Sequence, residues 1–224
     1  EKRRVEAIYR DNARDQTITL DSNDAGALLR TLGIVDNLTG GRLVLKAKKQ
    51  GGGDAAAWRG HVAVTDFRIA KAPTLARLLS LASLTGISNL ASGKGIAFKR
   101  LDIPFAMRSR RLTISDASAV GSQIGISSSG EIDFEADRTE LEGTVVPAYT
   151  LNTLVGSIPL LGDLFTGGKG GGVFAASYTL SGPLDDPKIR VNPLTVLAPG
   201  ILRNLVRGLG KLGTDGPPEP EPED

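Results

Sequence analysis

Apolar and polar residues alternate with period two in segment after segment of this chain, the pattern of strands that bury one face and wet the other. The clearest run is 123–135. There Ile124, Ile126, Ile132 and Phe134 fall on one side, and Gln123, Ser127, Ser129, Glu131, Asp133 and Glu135 on the other. Leu43, Leu45 and Ala47 alternate with Arg42, Lys46 and Lys48, and Val44 breaks the pattern. The glycine-rich stretch 51–54 then predicts a hairpin loop, with 58–69 as the returning strand. Between 96 and 107 the apolar parity changes: Ile96 and Phe98 are even-numbered, whereas Leu101, Ile103, Phe105 and Met107 are odd-numbered. A bulge or kink near Arg100 would keep both halves on one face. Leu112 and Ile114, then Leu141, Gly143 and Val145, continue the alternation. The stretch 172–181 supplies another strand, and Asp185-Asp186-Pro187 reads as a turn before a strand over 188–191. Consecutive strands with short turns predict an antiparallel meander. Several segments run well beyond the usual strand length of about 5–6 residues. The expected fold is mainly β with a few short helices: an elongated, twisted, groove-like antiparallel sheet capped by amphipathic helices.

Four stretches carry helical spacing instead. Ser22 is placed to cap a short helix with Ala25, Leu28, Leu29 and Leu32 on one face, and Gly33 supplies its stop. The second, 73–84, begins with proline and carries Leu75, Leu78, Leu79 and Ala82. The third, 147–165, reads as two short pieces separated near Gly156 and Pro159, with Leu151, Leu154, Val155, Ile158, Leu160, Leu161, Leu164 and Phe165 as apolar content. The fourth, 194–212, sets Ile201, Leu202, Leu205, Val206 and Leu209 against Arg203, Arg207 and Lys211, with a break at Pro199-Gly200. A basic helix of this kind fits either an interfacial membrane helix or a helix that packs its leucines on the sheet, and the balance lies toward packing. Residues 1–20 are highly charged around Ala7, Ile8 and Tyr9, so they form either a leading strand or the solvated end of a preceding region. Residues 21–212 make one β-rich module, and 213–224 is a Pro/Glu tail that cannot pack a core.

Composition narrows the function classes. With 224 residues the chain can bury a sizeable core. Its 27 basic residues against 25 acidic ones leave a net charge of +2, and nothing global pulls it toward nucleic acid. Aromatics at 4% are also too few for a base-stacking platform. The absence of cysteine excludes disulfides, thiolate zinc sites and cysteine nucleophiles. No run of 18 apolar residues is present, so neither a bilayer-spanning helix nor a signal peptide is read, and the start at Glu1 without methionine reads as a cut from something longer.

The residues that could carry catalysis do not assemble into a known signature. His61 is the only histidine, and it reads as a strand-surface residue rather than a ligand or a base. Ser92-Gly93-Lys94-Gly95 and Gly167-Gly168-Lys169-Gly170 lack both the upstream glycine and the Ser/Thr after the lysine that a phosphate loop needs. Glu131, Asp133 and Glu135 alternate on a wet strand face, where carboxylates ordinarily just solvate it. The reading is of a non-enzymatic module with no metal or cofactor.

Taken in order, several elements resemble the C-terminal region of the AsmA-like family of bacterial envelope proteins, especially its large YhdP-type members. They are Asp24-Ala25-Gly26 with Leu28-Leu29 before Gly40-Gly41; Asp66-Phe67-Arg68-Ile69 followed by Ala72-Pro73 and Leu78-Leu79-Ser80-Leu81-Ala82-Ser83; and Gly95-Ile96-Ala97-Phe98. Later come Val146-Pro147-Ala148-Tyr149 with Leu151-Asn152, Ile158-Pro159-Leu160-Leu161-Gly162, Thr166-Gly167-Gly168 and Val191-Asn192-Pro193-Leu194. The resemblance implies a periplasmic β-rich protein, held by an inner-membrane helix that this chain lacks, that helps move phospholipid between the inner and outer membranes through an apolar groove. On that expectation Ile124, Ile126, Ile132, Phe134, Leu141 and Val145 are groove-lining candidates, with ordinary core as the alternative for each. Leu78, Leu79, Leu160, Leu161, Ile201, Leu205, Arg203 and Arg207 are candidates for capping the groove or meeting a membrane. Phospholipid is the expected partner; the alternative is an assembly scaffold that binds another envelope protein.

Overall fold

The computed structural model describes residues 2–12, 15–51, 56–70, 95–121, 124–147 and 176–192. Ten strands follow one another in chain order within a single sheet, each antiparallel to the next. They are β1 (Val5–Asn12), β2 (Asp15–Ser22), β3 (Leu38–Gln50), β4 (Ala57–Ile69), β5 (Ile96–Arg108), β6 (Arg111–Gly121), β7 (Ile124–Asp133), β8 (Arg138–Pro147), β9 (Ala176–Gly182) and β10 (Lys188–Asn192). The single helix among the described residues, α1 (Ala25–Thr31), links β2 to β3. The expected meander is therefore the fold, with strands of up to 13 residues. The leading segment forms a strand that pairs with β2 over its whole length, from Val5 opposite Ser22 to Asn12 opposite Asp15, with all eight of its residues exposed.

Three of the expected helical stretches, with Leu78, Leu79, Leu160, Leu161, Ile201, Arg203, Leu205 and Arg207, lie outside the described residues. Pro147, read as the start of one, is the last residue of β8, paired in register with Ile124.

The connections sort to two ends. The turns β1–β2, β3–β4, β5–β6, β7–β8 and β9–β10 lie at one end of the sheet, here called the hairpin end. α1 lies at the other, where Leu38, Ile69 and Ile96 stand side by side. The helix is capped by Asp24, whose Oδ1 accepts from the Ala27 N–H at 2.9 Å. Ser22, two residues earlier and expected to be the cap, instead ends β2 as a buried residue whose hydroxyl accepts from the Asp24 N–H. Ala25 and Gly26 are buried, and a Cβ on Gly26 would stand 2.8 Å from the Thr39 Cα, so this position needs glycine for the helix to lie against β3. Leu28 and Leu29 pack on the core, whereas Leu32 is exposed at the C-cap.

The parity change near Arg100 is a bulge. The β5–β6 register shifts between Phe98 and Arg100, and the irregularity crosses neighbouring strands. In β4 it sits at Asp66, in the left-handed region at φ 52°, and in β3 at Gly40 and Gly41, also left-handed. Because the three strands change parity together, Leu38, Phe67, Ile96 and Phe98 remain on the face that carries Leu43, Val64 and Leu101. Phe67 and Phe98 stack there with ring centroids 5.3 Å apart.

Burial changes along the strands. In β6–β8 both faces are buried toward the α1 end: Val145 and Val146, consecutive and so on opposite faces, are each 0% exposed, and Val120 and Thr144 are buried with Val146, whereas in β3–β5 Thr39, Arg68 and Lys99 keep the reverse face exposed there. In β6–β8 the expected division into one greasy and one wet face therefore holds only toward the hairpin end.

The β5–β6 turn is two residues long, Ser109 and Arg110, both left-handed at φ 42° and 63° between the paired Arg108 and Arg111. Such turns favour Asn-Gly. Ser109→Asn with Arg110→Gly is expected to raise stability by about 1 kcal/mol, read as a higher urea midpoint; an unchanged or lower midpoint contradicts the turn geometry.

Candidate functional site

The register joins one residue from every strand into a single apolar row: Tyr9, Ile18, Ala47, Gly60, Phe105, Ile114, Gly130, Leu141, Leu180 and Ile189. At a strand spacing of about 4.8 Å, nine steps span about 43 Å. A parallel row nearer α1 runs through Val5, Ser22, Leu43, Val64, Leu101, Ala119, Ile126, Val145 and Ala176. These rows place a largely apolar face across the sheet, with Ser22 and Ser128 among its polar positions. Its α1 half holds the buried core at Leu43, Val64, Val145 and Ala176, with Leu101, Ala119 and Ile126 half-buried and Val5 exposed at the sheet edge, whereas in its hairpin half Leu45, Ile103, Phe105, Ile114, Ile132, Leu141 and Leu180 are only half-buried.

Glycine shapes this face. A Cβ on Gly143 would collide with the Tyr178 ring, which lies over the bare backbone and donates its hydroxyl hydrogen to the Ser127 carbonyl at 2.9 Å. Burial pushes the Tyr178 pKa up, which keeps that donor protonated. Gly130, at φ 139°, has backbone of Glu140 and Leu141 where a Cβ would go.

The six groove candidates separate by position. Ile126, Ile132 and Leu141 lie on the half-buried part of the apolar face, while Ile124 and Val145 are fully buried core. Phe134 is not in a strand. β7 ends at Asp133, whose Oδ1 accepts from the N–H groups of Glu135 and Ala136, and this turn leaves Phe134 39% exposed. Sequence reasoning left Leu45, Phe105, Ile114 and Leu180 off the candidate group, although their alternation is the signal that marks them.

The opposite face holds the main buried charge. Asp102, side chain 10% exposed, accepts from Arg100 Nε at 2.5 Å and Nη2 at 2.8 Å and lies 3.0 Å from His61 Nε2. Burial alone would raise its pKa, but the bonds from His61 and Arg100 and their charge outweigh burial and hold it at about 2. The strand-surface histidine thus has a cross-strand carboxylate partner that one-dimensional reading could not supply. Asp133 is likewise bound, to the backbone N–H of Ala136 and to Arg111 at 2.8 Å, and its pKa is lowered for those reasons. A shallow cavity of about 360 Å³ beside the bulge is bordered by Asp66, Phe67, Phe98 and Lys99, and the Asp66–Lys99 pair, at 3.0 Å, satisfies its own charges. Among the described residues no three His or carboxylate groups are grouped to hold a metal ion, and no helix is long and apolar enough to cross a membrane. Comparison with protein-family models, with curated proteins and with solved structures finds no match to this chain.

The Asp102 carboxylate has a folded pKa of about 2 against 3.8 in the free side chain. Its contribution, about 2 kcal/mol, is therefore full above about pH 4 and lost as the pH falls toward 2. Asp102→Asn should lower stability at about pH 6, and the gap to wild type should narrow at about pH 2 in urea titrations. A gap that does not change with pH would place the effect elsewhere.

Proposed function

We propose that this chain is a non-enzymatic lipid-conduit module, a periplasmic part of an envelope protein that carries phospholipid between inner and outer membranes along its apolar sheet face. The observation that carries the reading is the apolar row with one residue from each of ten strands, half-buried toward the hairpin end. A path of about 43 Å is long relative to an acyl chain, since the hydrocarbon core of a whole bilayer is about 30 Å thick. Each methylene that leaves water for such a face gains about 0.8 kcal/mol, so several methylenes hold a lipid without any specific polar contact. Transfer along the face needs continuity of apolar surface and no bond chemistry.

A second reading, a scaffold that binds another envelope protein, draws on the outer edge of β1. That strand ends the sheet, and its Val5 and Tyr9 are 51% and 56% exposed, an arrangement to which another strand can add.

Phe105 and Leu141 lie in the same apolar row, half-buried and three strands apart. Phe105→Glu with Leu141→Glu should leave circular dichroism unchanged and cut co-purifying phospholipid at least about tenfold, because a carboxylate in the path must be desolvated by each passing chain. Folded variant protein with undiminished lipid, or wild type with no lipid and a stoichiometric protein partner, favours the scaffold.

A further inference from the structure

The hairpin end is divided by charge. Its β3–β4 and β5–β6 hairpins, over positions 48–59 and 107–111, carry Lys48, Lys49, Arg59, Arg108, Arg110 and Arg111 against one carboxylate, Asp54. One like-charged pair stands directly opposite in register there, Arg108 with Arg111. A cross-strand pair of one sign repels, so the β5–β6 tip gains from an anionic surface brought up to it. Arg111 also meets Asp133 of the next tip. That next tip, β7–β8, is of the opposite character, with Glu131, Asp133, Glu135, Asp137 and Glu140 around Arg138.

The same two basic tips carry the chain's one tryptophan. Trp58 is paired with Met107 on the apolar face, both half-buried, and its neighbour Arg59 points to the other face. Cations flanking an indole beside an apolar surface match the layering of a bilayer interface, with phosphates outermost and hydrocarbon beneath.

We propose that the protein docks end-on against an anionic phospholipid bilayer through the β3–β4 and β5–β6 tips. Lysine and arginine side chains there engage headgroup phosphates, and Trp58 enters the interface at the open end of the apolar face. The acidic β7–β8 tip is held off the surface, which fixes the tilt of the sheet. The inference deepens the lipid-groove reading and rests on it for the purpose of the contact, since it names the end at which lipid enters or leaves. It places membrane contact at the hairpin end, opposite the end from which α1 projects.

The test is binding of the full chain to phosphatidylcholine vesicles with and without phosphatidylglycerol, followed by co-sedimentation and by Trp58 emission. Binding only to the anionic vesicles, weakened by added salt and accompanied by a blue shift, is expected. Lys49→Gln, Arg59→Gln and Arg110→Gln together should weaken it about 100-fold. Lys188→Gln with Arg190→Gln, which removes cations on β10, should change it by less than about tenfold. Equal binding to neutral vesicles, an unaltered triple variant, binding without a Trp58 shift, or equal loss in the β10 variant each overturns the proposal. Lipid that still co-purifies with a triple variant unable to bind vesicles supports it. Wild type that binds anionic vesicles but never carries lipid leaves the docking surface standing and removes the groove.

Discussion

Every strand sends successive side chains to opposite faces, so a sheet keeps one face apolar only if all its strands stay in phase. Ten strands here meet that condition, although several contain an extra or twisted residue. Phase is kept because the irregularities line up across neighbours. Gly40 and Gly41, Asp66 and the Phe98/Arg100 shift occupy adjacent places in three strands, and all change parity together. A second shift between Ile114 and Ala117 of β6 accompanies left-handed Asp116, whose N–H is taken up by the Ser129 hydroxyl. Were one of these shifts lost alone, half a strand would turn its leucines and phenylalanines toward water.

From that constraint the rest follows in order. Phased strands give transverse apolar rows; the buried core lies in the rows near α1, and the rows near the hairpins are half-open. Charge is displaced to the other face and to the tips, where the buried Asp102 is held by Arg100 and His61 and the basic and acidic hairpins separate. One physical rule thus sets both the surface proposed to carry lipid and the surface proposed to meet a membrane.

Alternation made most of the sheet legible in the sequence, including the bulge, because an apolar run that changes parity can stay on one face only by inserting an extra residue. What it could not show depends on local hydrogen bonds or on distant partners. The cap of α1 is Asp24 and not Ser22, a choice between two oxygen-bearing residues made by which N–H each oxygen reaches. Phe134 continues the alternation in sequence yet sits in a turn, because Asp133 folds the chain back with two backbone bonds. The His61–Asp102 pairing needs the β4–β5 register, which no spacing within either strand encodes. The candidate site was legible as a face but not in extent. Ile124 and Val145 share the alternation of Ile132 and Leu141, and only three-dimensional burial separates core from open surface.

The central claim is that one face of the sheet, and not the other, touches lipid. Adjacent residues on one strand test it directly, since Phe105 lies in the apolar row and Ala106 in the row Arg59, Ala106, Thr113 on the reverse side. A photoreactive amino acid placed at each position in turn, irradiated in protein purified with its native lipids and weighed by mass spectrometry, should give a phospholipid adduct from position 105 and none from position 106. Adducts of equal yield from both positions, or from neither while the protein is folded, would contradict it.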